Sequence, residues 1–138
     1  FSNSDNTTSI PITPTNTYDS DKKFDQYLLE AIDETFSSLG EVVKNAVFEH
    51  LQNDFQIKRV DIPIEICEFS KIIHKVFGLG AGRLELKIMN SLNSKLQVDV
   101  KLTEYQWPLS KWIVNEVSLT DYVQNLRNSY TETFRKKT

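Results

Sequence analysis

The chain has 138 residues, of which 39% are hydrophobic and 25% are charged, and its formal net charge is −3. This length predicts one domain, with an appendage at most. Acidic and basic residues are mixed throughout, so no strong electrostatic field favours binding to nucleic acid or to an anionic membrane. Four glycines and four prolines are too few for a turn-dense β-sandwich.

The only cysteine, Cys67, excludes an internal disulfide and a thiolate-rich metal site. It lies in a mostly apolar run, which predicts a buried, unreactive thiol in a reducing, cytoplasmic protein. No apolar run approaches the ~18–20 residues that span a bilayer. Because the chain begins at Phe1 without Met, we expect an upstream segment in the full-length protein.

The first half of the chain divides into a polar tail and a helical domain. Residues 1–20 are rich in Ser, Thr, Asn and Pro and have no hydrophobic period, which predicts a flexible linker or tail. Apolar residues then recur at helical spacing, and each apolar stripe needs a partner, so residues 21–96 are predicted to form a four-helix bundle-like domain. The predicted helices cover residues 23–39, 41–53, 63–77 and 81–95.

The pattern changes over residues 97–138. LQVDVKL, which starts at Leu96, alternates apolar and polar residues, and KWIVNEV over 111–117 could pair with it, so the two segments predict a β-hairpin. Ser118 and Asp121 resemble a capping box ahead of a helix predicted over 119–135. The predicted fold class is therefore mainly α: a four-helix bundle-like domain with a C-terminal β-hairpin and a final amphipathic helix, both packed on the bundle.

The segment FGLGAGRLEL, which starts at Phe77, has two readings. Its glycine spacing is not that of a dinucleotide or P-loop motif, and a helical pattern precedes it. Gly78 instead stands where a helix should end, and Gly80 and Gly82 would allow close approach of the next helix. The segment is predicted to be a turn.

Catalytic chemistry finds little support in the sequence. His50 and His74 lie in predicted helices without metal-ligand spacing, and no serine has a nucleophile-elbow context. We therefore predict no catalytic residue, no cofactor and no metal.

Two binding functions remain. The first is nucleic-acid binding, in which the third and fourth helices act as a helix-turn-helix-like unit with Arg83, Lys87 and Lys95 on the recognition helix. Three cations are few for groove insertion, so this stays the alternative. The second is protein binding, as a homodimer or hetero-complex with residues 97–138 in the interface, because a small bundle would leave aromatic residues uncovered. The candidate interface residues are Trp107, Trp112, Tyr122, Leu126, Tyr130 and Phe134.

Four short motifs follow one another in the helical region: Leu39-Gly40, His50-Leu51, Ile62-Pro63 and the turn from Phe77 to Ala81. With this order, residues 27–96 resemble the Nitrosopumilus output domain, a small archaeal helical domain. The resemblance implies a helical module of archaeal signalling without catalytic residues, and it does not cover residues 97–138. The expected function is a non-enzymatic regulatory or protein–protein interaction module.

Overall fold

The computed structural model describes residues 15–101 and 118–137, with side chains over 20–98 and 118–132. Its five α-helices in these ranges confirm the helical part of the predicted fold class. They are α1 (Thr15–Ser37), α2 (Glu41–Phe55), α3 (Ile66–Phe77), α4 (Ala81–Lys101) and α5 (Leu119–Lys137).

Helix α1 lies at the centre of the bundle, packing against α2, α4 and α5. Its apolar stripe is completely buried and comprises Phe24, Leu28, Ala31, Ile32 and Phe36. The helix starts at Thr15, eight residues before the predicted start, so it includes the end of the segment predicted as a tail. Its early turns are anchored by tertiary contacts, because Arg127 of α5 donates to Asp21 and Asp25. Local composition carries no sign of these partners.

The predicted C-terminal β-hairpin is wrong. Residues 96–101 of its first strand lie in α4, and the described ranges contain no strand; the second strand, over 111–117, lies outside them. Leu96 is completely buried because it lies four residues after Leu92, on the apolar stripe of α4. A spacing of four is also a multiple of two, so the same residues fit the alternation of a strand by chance. A helix already formed adds residues more easily than a new strand can start.

Helices α4 and α1 pack antiparallel to each other, and polar side chains lie at the edge of their contact. Ser91 and Lys95 both donate to Glu34, and Lys95 also lies 3.7 Å from Glu30, one turn earlier in α1. The hydrogen bond from Lys95, and then that from Ser91, lowers the pKa of Glu34. This edge therefore sets the register of α1 on α4.

Helix α5 belongs to the same hydrophobic core as the other helices. Ser118 is its N-cap, as predicted, because Ser118 Oγ accepts a hydrogen bond from the backbone N–H of Asp121, with 3.2 Å between the oxygen and the nitrogen. Tyr130 contacts Phe24 with 6.0 Å between ring centroids, and the Arg127 guanidinium lies 4.6 Å from the Phe24 centroid. The core residues of α5 are Leu119, Tyr122, Val123, Leu126 and Tyr130.

Only some of the glycines occupy positions where the backbone conformation of a turn requires glycine. Gly40 (φ 111°) and Gly78 (φ 58°) take backbone angles that other residues rarely adopt, and both separate helices. A Cβ at Gly80 or Gly82 would meet no atom within 4 Å, so the predicted close approach of α4 there is wrong. Helix α3 begins at Ile66, three residues later than predicted, after a 3₁₀ turn and four turn residues.

Candidate functional site

An apolar groove of about 480 Å³ runs between α2 and α3, and we call it the α2–α3 groove. Among the side chains that line it, His50 is the only polar one. The lining residues are Val42, Val43, Ala46, Val47 and His50 of α2, and Ile72, Ile73, Val76 and Phe77 of α3. The volume lies in the range of natural ligand pockets.

The groove is open because the side chains of α2 that face α3 are short. Alanine and valine cannot fill the gap between the two helices. Val42 is therefore 82% exposed and Val76 47% exposed, although both are apolar residues of amphipathic helices. Leu79, in the turn after α3, is fully exposed as well. Contiguous exposed apolar surface of this kind marks an interaction site more often than scattered apolar residues do.

Aromatic rings form the rigid base beneath the groove. Phe77 lines the groove and stacks on Phe36 with 6.0 Å between centroids and an interplanar angle of 27°. Phe36 also makes edge contacts with Phe48 and Phe69, at 6.2 and 6.4 Å. Because Phe36 is completely buried, the groove base is continuous with the core of the protein.

The polar group of the groove has a fixed ring orientation. His50 Nδ1 lies 2.5 Å from Asp54 Oδ2, one turn later in α2, and the ring packs edge-on against Phe55. With Nδ1 engaged by the carboxylate, Nε2 is the ring nitrogen that remains for a ligand. The sequence placed His50 in a predicted helix, but the groove beside it depends on α3 and could not be read from the local pattern.

A second polar cluster joins α3 to α4. Glu85 is only 6% exposed; it accepts a hydrogen bond from Ser70 Oγ at 2.5 Å, and His74 Nε2 lies 3.1 Å from its other oxygen. Ser70 and His74 each contact the Glu85 carboxylate. In a catalytic triad the nucleophile is instead hydrogen-bonded to its histidine base, so this arrangement of contacts is different. The cluster is a structural contact between helices. The sequence pattern does not indicate this cluster, because Glu85 lies in a different helix from Ser70 and His74.

The three candidate nucleic-acid residues do not form one cationic surface. Arg83 and Lys87 are exposed, but Lys95 is engaged by Glu34 and Glu30 on the flank that faces α1. Of the three candidates, the two exposed cations that remain are a small number for a groove-binding helix.

The candidate interface residues fall into two groups. Tyr122, Leu126 and Tyr130 are completely buried in the core of their own chain, so a partner could reach them only if α5 left the bundle. Trp107 and Trp112 lie outside the described residues, as does the side chain of Phe134. Among the exposed apolar side chains of the described residues, Val42 and Val76 lie instead at the α2–α3 groove.

A smaller cavity of about 280 Å³ lies between the start of α3 and α5. Cys67 lines it and is exposed, so the prediction of a buried thiol is wrong. Arg127, which also lines it, is already bound by Asp21 and Asp25. This cavity is smaller than the α2–α3 groove, and more of its lining residues are polar.

Tyr122 is a buried group whose hydroxyl has no hydrogen-bond partner among the described residues. Burial raises the pKa of its phenol to about 12, from an ordinary value of 10.0. The neutral form therefore stabilises the folded state fully below pH 10, and that contribution is lost as the pH rises from 10 towards 12.

We expect Tyr122→Phe to leave the free energy of unfolding at pH 7 unchanged or to raise it by about 1 kcal/mol, because the variant buries no unpaired hydroxyl. Between pH 10 and 12 the wild type should lose on the order of 2 kcal/mol more than the variant. Urea unfolding at several pH values measures both quantities. Equal alkaline losses in the two proteins would contradict the assignment.

The described ranges contain no group of three or more His, Cys, Asp or Glu arranged to hold a metal ion. Among the helices of these ranges, none combines the length and apolar character that crossing a membrane requires. No protein-family model, curated protein or solved structure matches the chain.

Proposed function

We propose that this chain is a regulatory protein–protein interaction module and that the α2–α3 groove is its binding surface. The observation that carries the proposal is the groove itself: an apolar concavity on a rigid aromatic base, with exposed apolar residues at its edge. Apolar anchors that enter such a groove supply most of the energy of a protein interface.

A partner protein fits this surface better than a reaction does. The groove holds one polar side chain, His50, whereas an enzyme site needs several convergent polar groups. The resemblance of residues 27–96 to the Nitrosopumilus output domain agrees with this proposal, because it implies a signalling module without catalytic residues.

Site-specific photo-crosslinking in the source cell tests the proposal. We expect a photoreactive amino acid at Val42, in the groove, to give a discrete protein adduct of the 16.0 kDa chain. The matched control is the same substitution at Val98, a valine of α4 that is 69% exposed and lies away from the groove.

The two sites give distinct outcomes. An adduct that forms at Val42 and is absent at Val98 supports the proposal, and its mass separates a second copy of this chain from a different protein. Absence of an adduct at Val42, or equal adducts at both positions, would show that the groove is not the binding surface.

A further inference from the structure

The walls of the α2–α3 groove have the dimensions of a helix-binding site. Val42, Ala46 and His50 follow one another at intervals of four residues, which spans about 12 Å, or a little over two turns. Ile72 and Val76 repeat the same interval on the opposite wall. A third helix lying along this seam would bury residues at i, i+4 and i+7, as amphipathic helices do in grooves.

The exposed apolar surface is too small for a stable dimer of this chain. Of the residues that line the groove, Val42 and Val76 are the large exposed hydrophobics, and together they present on the order of 200 Å². A stable dimer commonly buries about 800 Å² on each partner, of which roughly 450 Å² is apolar. A single docked helix needs only the smaller area, so the size favours a helix over a second copy.

Opposite charges without ion-pair partners border the two walls. Glu49 is on the same face of α2 as Val42 and Ala46, and Lys75 lies one turn after Ile72 on α3. Both are exposed, and neither has an ion-pair partner within the described residues. The neighbouring cations Lys44 and Lys71, by contrast, are paired within their own helices.

We infer that the α2–α3 groove binds one amphipathic helix of a partner protein, whose apolar stripe carries a basic side chain facing Glu49 and an acidic side chain facing Lys75. The two charges determine the direction in which the helix lies, because the reversed helix would place like charges together. His50 Nε2 supplies a hydrogen bond at one end of the stripe. This inference rests on the proposed function and specifies the class of partner.

Selection from a display library of helix-biased peptides on the purified chain tests the inference. We expect enriched peptides to share an apolar i, i+4, i+7 stripe with Lys or Arg on one flank and Asp or Glu on the other. The best peptide should bind Glu49→Lys/Lys75→Glu about tenfold more weakly in fluorescence anisotropy. The charge-reversal control, Lys87→Glu on the exposed face of α4, should bind as the wild type does.

A second pair of variants reports on the groove itself. Val42→Asp should abolish binding of the peptide, and Val98→Asp should not. The inference is overturned if selection yields no groove-dependent peptide, if the enriched peptides lack a helical stripe, or if the charge reversal has no effect. A crosslink from Val42 to a different protein would then still support the proposed function, whereas a crosslink only to a second copy would itself overturn the inference.

Discussion

Replacing Phe36 with alanine is expected to lower the free energy of unfolding by about 3–5 kcal/mol, the cost of removing a large buried aromatic side chain. Phe36 is completely buried and contacts Phe48, Phe69 and Phe77. A cavity at this point removes the ring contacts of α1 with two other helices, α2 and α3, at once. For a domain with a total stability of roughly 5–15 kcal/mol, this loss is a large fraction.

The matched control is Phe55→Ala. Phe55 is half-buried at the end of α2, where its ring contacts His50, so its loss should cost clearly less than that of Phe36. Urea unfolding followed by circular dichroism measures both values. Equal losses would mean that the aromatic cluster is not the base of the core. Because Phe77 stacks on Phe36, peptide binding at the α2–α3 groove should also weaken in Phe36→Ala while the variant is still folded.

Tyr130→Ala is expected to destabilise the whole domain by about 3 kcal/mol, although the residue lies near the C-terminal end of the chain. Tyr130 is completely buried, and its ring contacts Phe24 of the central helix. If α5 is part of the single core, amide hydrogens of α1 should exchange faster in the variant, along with those of α5.

The control for this prediction is Asn128→Ala, an exposed position two residues earlier in the same helix, where the change should stay within about 0.5 kcal/mol. Faster exchange confined to α5 would identify the last helix as an appendage that folds separately. The measurement also bears on the interface residues predicted from sequence, because a residue needed for the fold is not available as a surface anchor.

Some features of the α2–α3 groove could be found by sequence reasoning, and some could not. Val42 and Val76 contribute to the apolar spacing that predicts α2 and α3, yet both side chains are exposed. A 3.6-residue period indicates which face of a helix is apolar, but it does not say whether a neighbouring helix lies close enough to cover that face. The same limit applies to Glu85, whose burial depends on Ser70 and His74 of another helix.

The sequence by itself determined the helices with strong apolar periods, the glycine breaks at Gly40 and Gly78, and the cap at Ser118, because spacing, backbone freedom and capping act within a few residues. Tertiary structure decided the rest. Contacts with α5 accompany the early start of α1, and packing against α1 extends α4 through the segment that alternates like a strand. The α2–α3 groove exists because two helices with short facing side chains are each held by other partners, so that neither closes on the other.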